Sequence, residues 1–383
     1  KNSKDSLNKS IEQNDSSAVS MKKQKTNIPS TDKFSRLTTC KYTPLSKNQD
    51  ADMSILDQWC EIRTKSIPGK RSFHCCWSIG DYIYLFGGIN LNTGKNSEFY
   101  KINLAHQTPT WINFKPKGGN LIEPLAYSCA VSYENNFYVI CGQDQTLNQV
   151  NSVYKLTPVN EDNKEKESRN VSSEKKEGKD QAILTKDVLE KVEMENCPCL
   201  EGHCGASFKD GILIFGGFTK GGFSNEIYLV DINNKKVVLK KQDSSDSIKK
   251  PTPRIGAACL IYLDKFYMFG GQNEEGKYLN DMWIYNINQN QWEEVQAKEN
   301  DLSRPKGRSG HSMNLYNNQI YIFGGKTNNV MEVNEFWKFL PETKTFELIQ
   351  ESLIEQYDSM DHSDSEDRIR SKKYNSLSFK AHR

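Results

Sequence analysis

The chain has 383 residues, a formal net charge of +2, a pI near 8.0 and a mean hydropathy of −0.74. That length suits one large domain or two ordinary ones. The near-neutral balance gives no reason to expect nucleic acid or an anionic membrane as a partner, and no apolar run approaches the roughly 18 residues that a spanning helix needs.

In chain order, residues 1–50 are dominated by Lys, Asn, Ser, Asp and Gln without periodicity, which predicts a disordered polar tail with no secretory leader. The chain opens on Lys1, as a fragment or a processed form would. Ten irregularly spaced cysteines then favour reduced thiols in the cytoplasm over a disulfide framework. The run "LDQWCEI" at 56–62 reads as a lone outer strand carrying Trp59.

From residue 81 one phrase recurs: "DYIYLFGGI" at 81, "NNFYVICGQ" at 135, "DGILIFGGF" at 210, "DKFYMFGGQ" at 264 and "NQIYIFGGK" at 318. The residue before the glycines falls at Phe86, Ile140, Phe215, Phe269 and Phe323, with separations of 54, 75, 54 and 54. A fixed period of this size signals a repeat architecture. Each copy begins with a small-residue strand such as "RSFHCCWSI" or "RIGAACLIY", followed by an Asp or Asn turn and the phrase itself. A third strand follows with its aromatic thirteen or fourteen residues past the phrase, then a fourth with Trp111, Val238, Trp292 or Phe346. Four short β-branched and aromatic strands with glycine punctuation read as one blade of a propeller. In the second copy the surplus falls at 158–180, "PVNEDNKEKESRNVSSEKKEGKD", which leaves the fourth strand near 181–189. It is predicted to be a disordered insertion: a tolerated surface loop, with a regulated docking arm as the other reading. Beyond 350 lies a polar segment whose acidic serines "SDSED", 363–367, could accept phosphate, and whose run "RIRSKKYNSLSF", 368–379, could supply a first strand.

The double glycine, the Tyr or Trp after it and the later Trp resemble kelch repeats over roughly residues 59–350. The copy at Ile140-Cys141-Gly142 and the aliphatic Val238 depart from the pattern. The resemblance implies an all-β, kelch-type β-propeller with five four-stranded blades, their cores near 71–115, 125–189, 200–242, 254–296 and 308–350. A sixth blade is expected to be split between the termini, so that the propeller spans 51–350 and the segment 351–383 helps to close it. An open β-sandwich is the alternative, but sandwiches do not keep a fixed residue count between strands.

Arg71, Arg254 and Arg308 stand fifteen residues before the phrase residue, where the other copies have Leu125 and Leu200. Loops d–a and b–c of a blade emerge on one face, so three guanidinium groups, with Ser72 and Ser309 beside them, are expected around the channel mouth. Guanidinium forks suit carboxylates, and the resemblance implies a protein partner with an acidic peptide segment. The competing reading pairs these arginines with acids of an adjacent blade, Asp281, Glu335 and Glu226. The insertion should emerge on the opposite face.

His74, His203 and His311, each twelve residues before the phrase residue, are weaker channel candidates, set against satisfied core histidines. "CPCLEGHC" holds Cys197, Cys199, His203 and Cys204, which are zinc-ligand types. The repeat accounts for His203 and Cys204, and adjacent strand residues point to opposite sides, so no metal is assigned. No nucleophile elbow, phosphate loop or His-Glu-x-x-His motif is present, so no catalytic residue and no cofactor is assigned. The expectation is therefore a non-enzymatic interaction scaffold or adaptor, cytoplasmic and open to cytoskeletal association. The alternative is a metal-dependent enzyme housed in the channel.

Overall fold

The apolar run ending at each repeat phrase forms a strand of five residues, eight in the second copy, and the residues before and after it fold back along both of its edges. A computed structural model describes residues 62, 64, 66–106, 108–119, 122–159, 183–241, 249–296, 304–327 and 332–350. The five repeats form five antiparallel meanders, and no α-helix occurs among the described residues.

In blade 1 the strands a to d are Cys75–Ile79, Tyr82–Phe86, Phe99–Asn103 and Ile112–Lys117. Blade 2 has Cys129–Tyr133, Asn136–Gln143, Gln149–Thr157 and Ile183–Val192. Blade 3 has Cys204–Phe208, Gly211–Phe215, Ile227–Asp231 and Lys236–Leu239. Blade 4 has Ala258–Tyr262, Lys265–Phe269, Met282–Asn286 and Gln291–Glu294, and blade 5 has Ser312–Tyr316, Gln319–Phe323, Phe336–Leu340 and Thr345–Gln350.

The a–b hairpins are two-residue turns. Glu134-Asn135, Leu263-Asp264 and Asn317-Asn318 all have φ between 46 and 61°, which matches the twist of the flanking strands. Register follows from these turns: Tyr262 faces Lys265 and Ala258 faces Phe269. The inner strands lie next to one another in chain order.

Four hydrophobic clusters occupy the four blade-to-blade seams. Between blades 3 and 4, for example, Phe215 and Ile227 pack with Phe266, Met268, Trp283 and Trp292. The Trp292 ring stands edge-on to Phe215 at 5.1 Å. A single sheet could bury only one of its faces this way, so each blade depends on its neighbours. The all-β propeller class expected from the repeat is the fold observed.

Two details differ from expectation. Trp111 precedes strand d of blade 1, and Phe114 takes the core position instead, at 1% exposure. In blade 3 Val237 is buried while Val238 is exposed. Successive strand residues point to opposite faces, so a one-residue slip swaps inside for outside. The second difference concerns blades 1 and 2, which share one eight-stranded sheet because their d strands pair in parallel. Strand d of blade 2 has ten residues, and only Val188–Val192 pair with its own strand c. The free half reaches blade 1, with Ile183 opposite Phe114 and Leu184 opposite Lys115.

The expected tail 1–50, Trp59, the insertion from residue 160 onward and the segment 351–383 lie outside the described residues, and with them the sixth blade. Among the described residues no helix is long and apolar enough to cross a membrane.

Candidate functional site

The Gly-Gly pair is where one blade touches the next. The first glycine has φ of 67–71° in blades 1, 3, 4 and 5. A Cβ at Gly87, Gly216 or Gly270 would stand 2.6–2.8 Å from the carbonyl oxygen of Leu125, Arg254 or Arg308 in the following blade. The second glycine donates its N–H to that same carbonyl: Gly88 to Leu125 at 2.8 Å, Gly217 to Arg254 at 2.9 Å and Gly271 to Arg308 at 2.8 Å. Both the left-handed φ and the close approach require glycine here.

The three arginines form repeated clasps inside their own blades. Arg254 holds Asp281 through both terminal nitrogens, at 2.6 and 2.8 Å, and also donates to the Gly270 and Thr252 carbonyls at 3.0 Å each. Arg308 holds Glu335 and donates to the Gly324 and Lys306 carbonyls. Arg71 holds Glu98 at 2.8 Å, Asn96 at 2.9 Å and the Gly87 carbonyl at 3.1 Å. In each clasp the carbonyl lies 16 residues on and the acid 27 residues on. Trp283 and Trp337 donate to the same Asp281 and Glu335 carboxylates, and Tyr100 takes the equivalent place beneath Arg71. The guanidinium side chains are 5%, 0% and 0% exposed in Arg71, Arg254 and Arg308. The acids thus belong to the same blade, not to the adjacent one. Glu226 takes no part in such a clasp, because blade 3 has the buried Leu200 in the arginine slot. Of the neighbouring serines, Ser72 pairs through its backbone with Ile89, and Ser309 Oγ donates to the Gly256 carbonyl at 3.3 Å.

His74, His203 and His311 lie under the second glycines. A Cβ added at Gly88, Gly217 or Gly325 would come within 2.9–3.0 Å of the histidine's Cβ. Burial lowers the His203 pKa to about 4, and neither of its ring nitrogens has a protein partner among the described residues. The His311 pKa falls to about 3, chiefly through burial and then through the Arg308 charge, against an opposing backbone hydrogen bond at Phe269. Both rings are therefore neutral at pH 7. The ligand types of 197–204 diverge: Cys204 Sγ points to the Phe215 carbonyl and Cys197 Sγ to Cys141. Among the described residues no three His, Cys, Asp or Glu side chains group as a metal site.

Just ahead of the inner strands runs a chain of backbone hydrogen bonds, one step per blade. Tyr127 N–H donates to Phe73, Gly202 to Tyr127, Gly256 to Gly202 and Gly310 to Gly256, at 2.8–3.1 Å. All five residues have left-handed φ, from 55 to 68°. Blades 3 to 5 use glycine there, whereas blades 1 and 2 use Phe73 and Tyr127, whose rings stack at 4.0 Å. Large residues at this φ are outliers that point to function, and Phe73 remains 50% exposed. Beside them, Lys95 Nζ donates to Gln143 Oε1 at 2.6 Å and to the Asp144 carbonyl. Burial raises the Glu201 pKa, with hydrogen bonds from Gln149 and Gln143 and the Lys95 charge opposing it. The b–c hairpins of the same two blades present Leu91 and Leu147 to solvent.

A family profile described as the KLHDC2/KLHL20/DRC7 Kelch-repeats domain matches residues 202–363. Over these residues the chain is similar to kelch-repeat proteins. Kelch domain-containing protein 1 of Mus musculus is 27% identical over 158 residues, covering 35% of this chain and 38% of that protein. Kelch domain-containing protein 2 of Bos taurus is 24% identical over 286 residues, 71% of this chain and 67% of that one. The leucine-zipper-like transcriptional regulator 1 homolog of Drosophila melanogaster is 21% identical over 285 residues, or 72% of this chain and 26% of its own length. The alignment to the mouse protein thus spans little more than a third of that protein's length.

The aromatic pair stands two residues after the arginine slot and carries none of its charge. Phe73 and Tyr127 occupy the column that reads Gly202, Gly256 and Gly310 in the other kelch blades. Two aromatics in an otherwise glycine column were a visible signal. Only the structure shows that these five residues are joined by hydrogen bonds from blade to blade.

Proposed function

We propose that this kelch propeller is a non-enzymatic scaffold that takes a protein partner on the face holding the arginine clasps and the Gly-Gly pairs. The observation that carries the reading is the Phe73–Tyr127 stack, bulky and partly exposed in a backbone column built for glycine. Exposed aromatics at the centre of a rigid surface make good anchors. Leu91 and Leu147 flank them on the hairpins, and the Lys95–Gln143–Glu201 cluster supplies polar register. In this reading Arg71, Arg254 and Arg308, with Ser72 and Ser309, position the loops, while an acidic stretch of the partner meets the exposed lysines Lys70, Lys220 and Lys277. Charge of this kind speeds encounter and sets orientation more than it adds affinity. A cytoplasmic setting belongs to the same reading, supported by the irregular cysteines.

The test is affinity capture by the full chain and by a Phe73→Gly/Tyr127→Gly variant. Glycine is what the other blades carry at this position, so relief of backbone strain offsets the lost stacking, and stability should stay within about 1 kcal/mol of the parent. The expected result is loss of the specific partner set with an unchanged melting curve. Retention of the same partners by the folded variant would remove the aromatic mouth from the account.

A further inference from the structure

Cys141 occupies the first-glycine position of blade 2, with φ of 55° where four other blades have Gly87, Gly216, Gly270 and Gly324. At three of those glycines a Cβ would strike the next blade's carbonyl. The segment leading from blade 2 into blade 3 reads Cys197-Pro198-Cys199-Leu200. Cys141 Sγ lies 3.3 Å from the Pro198 carbonyl oxygen and 3.8 Å from Cys197 Sγ. The one blade that lacks the first glycine therefore faces a lead-in segment that brings a thiol against it.

The two sulfurs differ in access. Cys141 is fully buried, while Cys197 is partly exposed. The hydrogen bond between the two thiols lowers the Cys197 pKa against the opposing effect of burial, and the same bond together with burial raises that of Cys141. The thiols on the inner strands have the opposite character: burial pushes Cys75 up to about 12, and Cys129 and Cys259 are raised as well. A thiolate reacts where a thiol does not, so Cys197 is the sulfur best placed to meet an oxidant.

We propose that Cys141 and Cys197 form a reversible dithiol–disulfide couple that fastens blade 2 to blade 3 in response to hydrogen peroxide. The Cys197 thiolate attacks one peroxide oxygen, the O–O bond breaks, and the departing hydroxide takes the proton that the thiol had shed. Cys197 is then a sulfenic acid. Cys141 sulfur attacks Cys197 Sγ, the S–O bond breaks, and the hydroxyl leaves as water with the Cys141 proton. In sum, two thiols and one hydrogen peroxide give one disulfide and two waters. Side-chain rotation brings the sulfurs from contact to the bonded separation of about 2.05 Å. An external dithiol reverses the step by thiol–disulfide exchange. The couple stands on this thiol geometry alone, whatever the partner of the mouth.

The test uses the purified full chain treated with one equivalent of hydrogen peroxide, then blocked, digested without reductant and read by mass spectrometry. The expected product is a peptide pair joining Cys141 to Cys197, lighter by two hydrogens and separated by dithiothreitol. Cys199→Ser retains the cross-link and Cys197→Ser abolishes it. Cys141→Gly restores the residue of the other blades, keeps the fold and leaves Cys197 trapped as a sulfenic-acid adduct of dimedone. A Cys197–Cys199 bridge as the main product would overturn the proposal. So would oxidation at Cys76 while Cys141 and Cys197 stay fully alkylatable in the folded chain.

Discussion

At the residue scale, the arginine clasps hold the kelch loops in place. Each guanidinium is enclosed, meets a carboxylate and fixes the carbonyl of the first glycine. Removing one partner leaves the other charge buried and unpaired, which costs about 3–5 kcal/mol. Arg308→Ala, which strands the 5%-exposed Glu335, is expected to lose about that much in urea unfolding, Arg254→Ala less because Asp281 is 23% exposed, and lysine cannot reproduce the bidentate fork to Asp281. A loss below about 1 kcal/mol at both sites would show the clasps to be marginal. The histidines give a pH prediction at the same scale. His203 and His311 are held neutral in the fold, with pKa values of about 4 and about 3, below the unfolded value of 6.5. Between these values and 6.5 the unfolded chain binds more protons than the fold, so stability falls as pH drops through that window. Each histidine contributes a slope of roughly 1.4 kcal/mol per pH unit. Thermal melts from pH 7 to 4.5 are expected to flatten in a His203→Gln variant relative to the parent, and an identical slope would refute the assignment.

At the element scale, the seam between blades 1 and 2 is the unusual one. Lys101 Nζ lies 3.2 Å from Asp187 Oδ2, and both side chains are buried. Asp187 also accepts from Val159 N–H at 2.8 Å and from Thr185 Oγ1 at 3.1 Å, while Lys101 sits over the Phe114 ring. The pair joins strand c of blade 1 to strand d of blade 2, where the two outer strands run side by side. Asp187→Ala is expected to destabilise by about 3–5 kcal/mol, and a Lys101→Met/Asp187→Leu double variant to recover most of it. Equal losses in the single and double variants would mean that the carboxylate's backbone partner, not the ion pair, carries the seam. Strand periodicity alone could place the ten-residue strand but could not show it reaching a neighbouring blade. The sequence does not encode how far a strand outruns its hairpin partner.

At the scale of the whole molecule, the repeat made the architecture readable and left the surface obscure. The Phe-Gly-Gly phrase recurs in four copies, with Ile140-Cys141-Gly142 in the remaining one, and the Asp or Asn turns and small inner strands recur in all five; all follow from local chemistry. That the arginines meet acids of the fold was legible as one of two readings, but that reading set the acids on an adjacent blade, whereas Arg254–Asp281 and Arg308–Glu335 each lie within one blade. Choosing between them needs burial, which depends on how blades close over the loops. Phe73 and Tyr127 were hidden for a related reason: their column marks the mouth only once the blades stand around a common axis. The central claim is that a protein partner docks on that mouth. Hydrogen exchange of the full chain, alone and with its captured partner bound, tests it most directly. The account predicts slowed exchange in the peptides around Phe73, Lys95, Tyr127 and Leu147, with the a–b turns near Leu263 and Tyr316 unchanged. Protection confined to those turns, with the mouth exchanging as in the free protein, would contradict it.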